Sequence, residues 1–252
     1  MWHLNQLIPL SPRRFYHFCG LLQPWFFVLS ALALAYGLFA GLFLAPADYQ
    51  QGDGFRIIYV HVPCAMLSLM LYVMMGICSA IYLIWRIKIC DMIAFCMAPI
   101  GAWLTLCSLL TGAIWGKPMW GTWWIWDARL TSQLILLFLY LGYIGLYHAM
   151  NSPSAAKACA ILAVVGLVDI PVIHYSVYWW NTLHQKSTIF KLQPTMETSM
   201  LLPLLSMILG MGFYIAGLIC VNIRTEILAR EAHNRWVGIL LRKGNAKELI
   251  AC

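Results

Sequence analysis

Six times along the chain the sequence runs for roughly 20 positions with scarcely a charged side chain, and short polar connections separate the runs. A helix of about 20 residues, rising about 1.5 Å per residue, crosses a hydrocarbon layer about 30 Å thick. Only such a segment satisfies all its backbone polar groups without water or a closed sheet. The runs lie at about 24–45, 63–85, 92–115, 130–149, 158–178 and 199–221. Charged residues make up 10% of the chain and hydrophobic ones 62%. Soluble domains carry about 25% charged residues, so a water-covered globule is excluded. The expected fold class is an all-α polytopic membrane protein, a bundle of six transmembrane helices forming a single integral-membrane domain over 1–252. The first run is longer than the roughly 7–15 apolar residues of a secretory signal and reads as an uncleaved span.

The net charge of +7 is spread along the flanks of the apolar runs, so it acts as a topology signal and not as a nucleic-acid footprint. Arg13, Arg14, Arg86, Lys88, Lys157 and a basic tail over 222–252 fall on one side. Arg56, Lys117, Arg129, Lys186 and Lys191 fall on the other. The richer side is expected to be cytoplasmic and to hold both termini. Segments 46–62, 116–129 and 179–198 then face outward. Pro63 suits the first turn of the second helix, which sets His61 just outside that helix at the interface.

The outward connection from Trp115 to Thr131 holds five tryptophans, Trp115, Trp120, Trp123, Trp124 and Trp126, together with Gly116, Pro118 and Gly121. A membrane-interface belt places rings at every helix end, whereas a cluster in one connection suits an apolar platform for a flat ligand. Asp127 stands immediately before the fourth run and fits an N-cap. Arg129 either snorkels to the interface or grips a carboxylate through its planar fork.

Two histidines share the outward face, His61 and, in the connection Tyr178-Trp179-Trp180-Asn181-Thr182-Leu183-His184-Gln185, His184. Neutral imidazole is a common metal ligand and a usual axial ligand of haem iron. The nine cysteines include no C-x-x-C pair and none falls in an outward segment. Neither a disulfide framework nor thioether attachment of haem is supported. Asp169 and His174 flank Pro171 in the fifth run, where an ionisable group is costly and points to function; both are taken as support residues.

The pattern Trp120-x-x-Trp123-Trp124-x-Trp126-Asp127-x-Arg129-Leu130-Thr131 resembles the tryptophan-rich WWD domain of haem-handling membrane proteins. With His61-Val62-Pro63, the Trp179 to His184 segment and six runs, the whole sequence is similar to the CcmC branch of that family, which delivers haem in bacterial cytochrome c maturation. The resemblance implies that His61 and His184 are the axial ligands of the haem iron. It implies that Trp115, Trp120, Trp123, Trp124, Trp126, Asp127, Arg129, Trp179 and Trp180 complete the site for haem b, held non-covalently and transiently. It further implies a periplasmic site on the bacterial inner membrane and transfer to a CcmE-like periplasmic haem chaperone. The other partners implied are CcmA- and CcmB-like ATP-binding-cassette subunits and a small CcmD-like membrane subunit. The chain contains no G-x-x-x-x-G-K-[ST] loop, so ATP hydrolysis is expected of a partner and no enzyme activity of this chain. Arg56, Lys117, Arg129 and Lys186 stand open as holders of the haem propionates. Two alternatives follow from the same residues. A b-type electron-transfer subunit places both ligands inside helices. A haem permease shows broken helices at mid-membrane depth, for which Asp169-Ile170-Pro171 is the sole hint.

Overall fold

Ser11 opens the first helix by accepting a hydrogen bond from the Arg14 N–H, with Pro12 at the first helical position, where its missing donor costs nothing. In this computed structural model, which describes residues 11–150, 153–180, 182–184 and 196–250, that helix is α1, Pro12–Phe39, and a π-helical turn over Ala40–Leu44 extends it. A 3-10 turn at Asp53–Ile57 then leads straight into α2, Ile58–Trp85. The rest of the bundle is α3 (Lys88–Trp120), α4 (Ala128–Ala149), α5 (Pro153–Gly166), α6 (Asp169–Trp179) and α7 (Thr198–Arg230), with α8 (Arg235–Ile250) after it. Among the described residues six segments are long and apolar enough to cross a membrane, α5 and α6 together making one of them. The protein is an all-α polytopic membrane protein.

The helices overshoot the hydropathy runs, and at two places the difference matters. The first concerns His61, which lies inside α2, in its opening turn, and not outside the helix. The start moves earlier because the 3-10 turn is anchored on both sides. Phe55 and Tyr59 are buried against Leu204 of α7, and the Arg56 guanidinium donates to the Gly41 carbonyl at the end of the α1 extension, 2.7 Å away. Pro63 therefore sits within the helix, where it forgoes only the bond to the Tyr59 carbonyl.

The second difference is a break in the fifth span, between α5 and α6 at Leu167 and Val168. Pro171 causes it: the ring has no N–H and crowds the carbonyl of residue i−4, which is Leu167. Tighter i to i−3 bonds take over there, from Leu167 to Val164, Val168 to Val165 and Ile170 to Leu167, each 3.2 Å. Below the break α5 packs on both α2 and α4; above it the principal neighbour of α6 is α4. A proline two residues into a new helix thus turns one span into two segments with different partners.

The core lies between α2, α3, α4 and α5, around Leu71, Tyr72, Met75, Leu136, Tyr140 and Tyr143. Two of the buried polar side chains there are paired, Tyr140 Oη donating to the Ser68 carbonyl at 2.8 Å and Gln133 Nε2 to Ser68 Oγ at 3.3 Å, whereas the buried Tyr72 hydroxyl has no partner among the described residues. The Tyr140 ring occupies the space that a side chain at Gly101 of α3 would need. Gly101→Ala is therefore expected to lower stability by about 1–3 kcal/mol through overpacking, measured as a fall in the unfolding temperature of the detergent-solubilised protein.

At the end of the bundle where α2 finishes, Asp91 of α3 accepts from Arg230 of α7, which also donates to Glu226 and to the Tyr147 hydroxyl of α4. The first part of the basic tail is thus the closing turns of α7. The opposite end gathers the connections over 45–57, 121–127 and 180–184, and it is there that the histidines lie.

Candidate functional site

His61 projects from the first turn of α2 toward α3, where Gly112 lets the ring come close; a Cβ there would stand 3.0 Å from the imidazole Cε1. Its Nδ1 is 3.1 Å from Thr111 Oγ1. That hydroxyl has one proton and gives it to its own helix, with the Cys107 carbonyl 2.6 Å away. With that proton committed, Thr111 Oγ1 accepts from His61 Nδ1–H, the tautomer that puts the imidazole lone pair on Nε2.

His184 reaches the same electronic state by another route. Asp127 caps α4, accepting from the Leu130 N–H at 2.7 Å through Oδ1. Its second oxygen accepts from Thr182 Oγ1 at 2.5 Å and faces His184 Nδ1 at 3.2 Å. A carboxylate only accepts, so His184 also carries its proton on Nδ1 and presents Nε2. Burial pushes the imidazole below its ordinary pKa and Asp127 pulls the other way. The ring is held neutral, which is the ligating form.

Each imidazole has an indole beside it from α3. Trp115 meets His61 edge to face with centroids 5.7 Å apart, and Trp120 meets His184 at 4.9 Å. Trp115 is fixed in turn by Gln51, whose side-chain oxygen accepts from the indole N–H at 3.0 Å. All four rings line one cavity of about 370 Å³, within the usual range for a small-molecule site. Most of its wall is apolar, including Val62, Met66, Leu69 and Ile173. It lies among α2, α3, α4 and α6 above the break, so Pro171, which sets where α6 begins, helps to position one wall.

Arg129 lines the cavity too, and no described residue hydrogen-bonds its guanidinium. The other basic candidates are placed differently. Arg56 is tied to Asp53 and the Gly41 carbonyl, and Lys117 donates to the Gly121 carbonyl at the end of α3. Lys186 lies outside the described residues. Among the described residues no three His, Cys, Asp or Glu side chains converge as a set that would hold a bare ion. Two imidazoles, aromatic edges, an apolar wall and a guanidinium that no described residue hydrogen-bonds have the chemistry to hold an iron porphyrin with carboxylate arms.

The model of the family described as Heme exporter protein C matches residues 7–238. The chain belongs to the Heme exporter protein C family. Heme exporter protein C of Escherichia coli (strain K12) is 45% identical over 248 residues, covering 98% of this chain and all of the relative. The protein of the same name from Haemophilus influenzae is 49% identical over 232 residues, 91% of this chain and 94% of the relative. A putative cytochrome c biosynthesis ccmC-like mitochondrial protein of Marchantia polymorpha is 42% identical over 204 residues, 81% of this chain and 84% of its own length.

In this member of the Heme exporter protein C family the rings of the tryptophan-rich stretch are not all on the cavity wall. Trp115 and Trp120 belong to the last turns of α3, which runs to Trp120 and closes on Gly121 at φ 78°. Only those two face the cavity. Trp123 and Trp126 are 58% and 73% exposed, Trp179 and Trp180 are exposed as well, and Trp124 stacks edge to face on Trp126. Asp127 stays outside the cavity and acts through His184. Of the two support residues, His174 lines the cavity with Tyr178, whereas Asp169 lies at the break with Oδ2 buried away from it. Thr111 and Gln51 were not legible as site residues, although Thr111 precedes Trp115 by four positions and so shares its helix face.

Proposed function

We propose that this protein binds haem b non-covalently between His61 and His184 and passes it to a periplasmic haem chaperone during cytochrome c maturation. Haem is the cargo, and its iron supplies the two axial coordination positions. The protein's own groups hold the ligands and enclose the ring. One observation carries the reading: two histidines more than a hundred residues apart line one cavity, each with Nδ1 engaged by a neighbouring oxygen, which leaves Nε2 as the ligating nitrogen. Arg129 pairs with a propionate, while Trp115 and Trp120 cover the ring edge. The exposed Trp123, Trp126, Trp179 and Trp180 sit at the level of the lipid head groups, next to where the accepting chaperone docks.

The excess of Lys and Arg at the other end of the bundle supports cytoplasmic termini and a periplasmic site on the inner membrane. ATP-binding-cassette subunits and a small membrane subunit complete the assembly, and they supply the ATP hydrolysis. The test is to express the chain with a tagged periplasmic chaperone of the CcmE kind and isolate the pair. Haem on the chaperone with wild type and its absence with His184→Ala is the expected outcome. Equal loading with both proteins would refute the transfer role.

The proposal fixes a pH dependence. Protonation competes with iron for Nε2, and burial lowers the His184 pKa. Affinity is therefore expected to hold as pH falls through about 6.5, the ordinary imidazole value, and to drop only further down. A titration followed at the Soret band reads this directly. Half-loss of binding above that value would contradict it.

A further inference from the structure

The geometry points to His174 as a third iron ligand, placed at a side opening of the cavity where haem arriving from the lipid is first held. This rests on the reading of the cavity as a haem site.

Three observations on independent parts of the chain meet here. The break at Leu167 and Val168 leaves α6 packed on α4, and above it α2, α3, α4 and α6 share the cavity wall. The part of that wall within the spans includes Ala65, Met66 and Leu69 of α2, Ser108 and Leu109 of α3, and Ile173 and His174 of α6. These residues are within the apolar spans and not in the outer connections. His174 lines the cavity and also belongs to the exposed stripe Pro171, His174, Tyr175 and Tyr178 along α6, of which Pro171 and Tyr175 are not on the cavity wall, so it stands where that wall meets the exposed face of the helix. It stands five residues before Trp179, the end of α6, or about 7.5 Å deeper along the axis.

An imidazole at that depth is expensive unless something engages it. The His174 ring meets Tyr175 edge-on, with centroids 4.9 Å apart, and no described residue hydrogen-bonds to it. Haem matches such a place chemically. Its macrocycle partitions into lipid, its iron accepts an imidazole lone pair, and its carboxylates need a cation, which Arg129 provides further along the same cavity. The step onward would be a ligand exchange without redox change: His174 and the exchangeable water on the opposite side of the iron leave as the Nε2 atoms of His61 and His184 take those two positions.

The full-length protein in phosphatidylcholine vesicles, given haem through the lipid and followed at the Soret band, tests this. His174→Ala is expected to reach the wild-type final spectrum about tenfold more slowly, an ordinary size for a change confined to association. His174→Phe, which keeps bulk in an apolar setting, is expected to do the same if the alanine variant is poorly folded. The His61→Ala/His184→Ala double variant is expected to retain a weak haem spectrum with one nitrogen ligand, lost when His174→Ala is added. Wild-type loading rates in both His174 variants, or identical spectra from the double and triple variants, would overturn the proposal. A double variant that keeps the full two-imidazole spectrum would instead overturn the haem site on which it rests.

Discussion

His61→Gly and His184→Gly are each expected to lose the six-coordinate haem spectrum, and millimolar imidazole is expected to restore it. The loss follows from the inventory of the cavity: among the described residues His61, His174 and His184 are the imidazoles on its wall, and only the first and last have a partner that fixes the tautomer. Removing the ligand itself should cost more than the roughly 10–100-fold typical of losing an outer partner. Rescue by free imidazole separates ligation from folding, since a small molecule that fills the vacated space restores the iron bond but not a collapsed bundle. Neither side chain belongs to the hydrophobic core, so His184→Gly should unfold near the wild-type temperature and His61→Gly should lose only the roughly 1 kcal/mol that glycine costs within a helix. Absorption spectra of the purified variants, with and without imidazole, check both parts.

Asp127 gives the second large effect, because one carboxylate serves two purposes. Oδ1 caps α4 through the Leu130 N–H, and Oδ2 orients His184 and Thr182. Asp127→Ala is expected to destabilise the protein by about 1 kcal/mol as a lost cap. It is also expected to weaken haem binding by about 10–100-fold as a lost outer partner. Asp127→Asn divides the two, since asparagine caps helices as well as aspartate does but brings no charge to the His184 N–H. Near-wild-type stability with weakened haem binding is the expected result for asparagine. Haem titration and thermal unfolding of both variants measure it, and unaltered haem affinity in either would show that His184 needs no carboxylate.

Spans were easy to read and the site was harder, for reasons that lie in particular residues. Apolar runs are dictated by the solvent, so six of them mark six helices whatever the tertiary packing. Hydropathy does not fix where a helix stops, which is why α2 begins before Pro63 and takes in His61. Asp127 was legible as a cap because the signal is local. Its grip on His184 was not, because that contact spans 57 positions of sequence. The five tryptophans look equivalent along the chain, yet the end of α3 at Gly121 puts Trp115 and Trp120 on helical geometry and leaves Trp123 and Trp126 outside the cavity. Pro171 was visible as a possible break. That the break opens the cavity depends on which helix α6 packs against, and no single stretch of sequence contains that information.

The account turns on both imidazoles binding one iron through Nε2. Electron paramagnetic resonance of the ferric, haem-loaded protein addresses that most directly, with histidine labelled by ¹⁵N to mark its nitrogens as ligands. A low-spin signal showing hyperfine coupling to two histidine nitrogens, reduced to one in either His61→Gly or His184→Gly, is the predicted result. A high-spin signal from the wild type, or two coupled histidine nitrogens persisting in both variants, would contradict it.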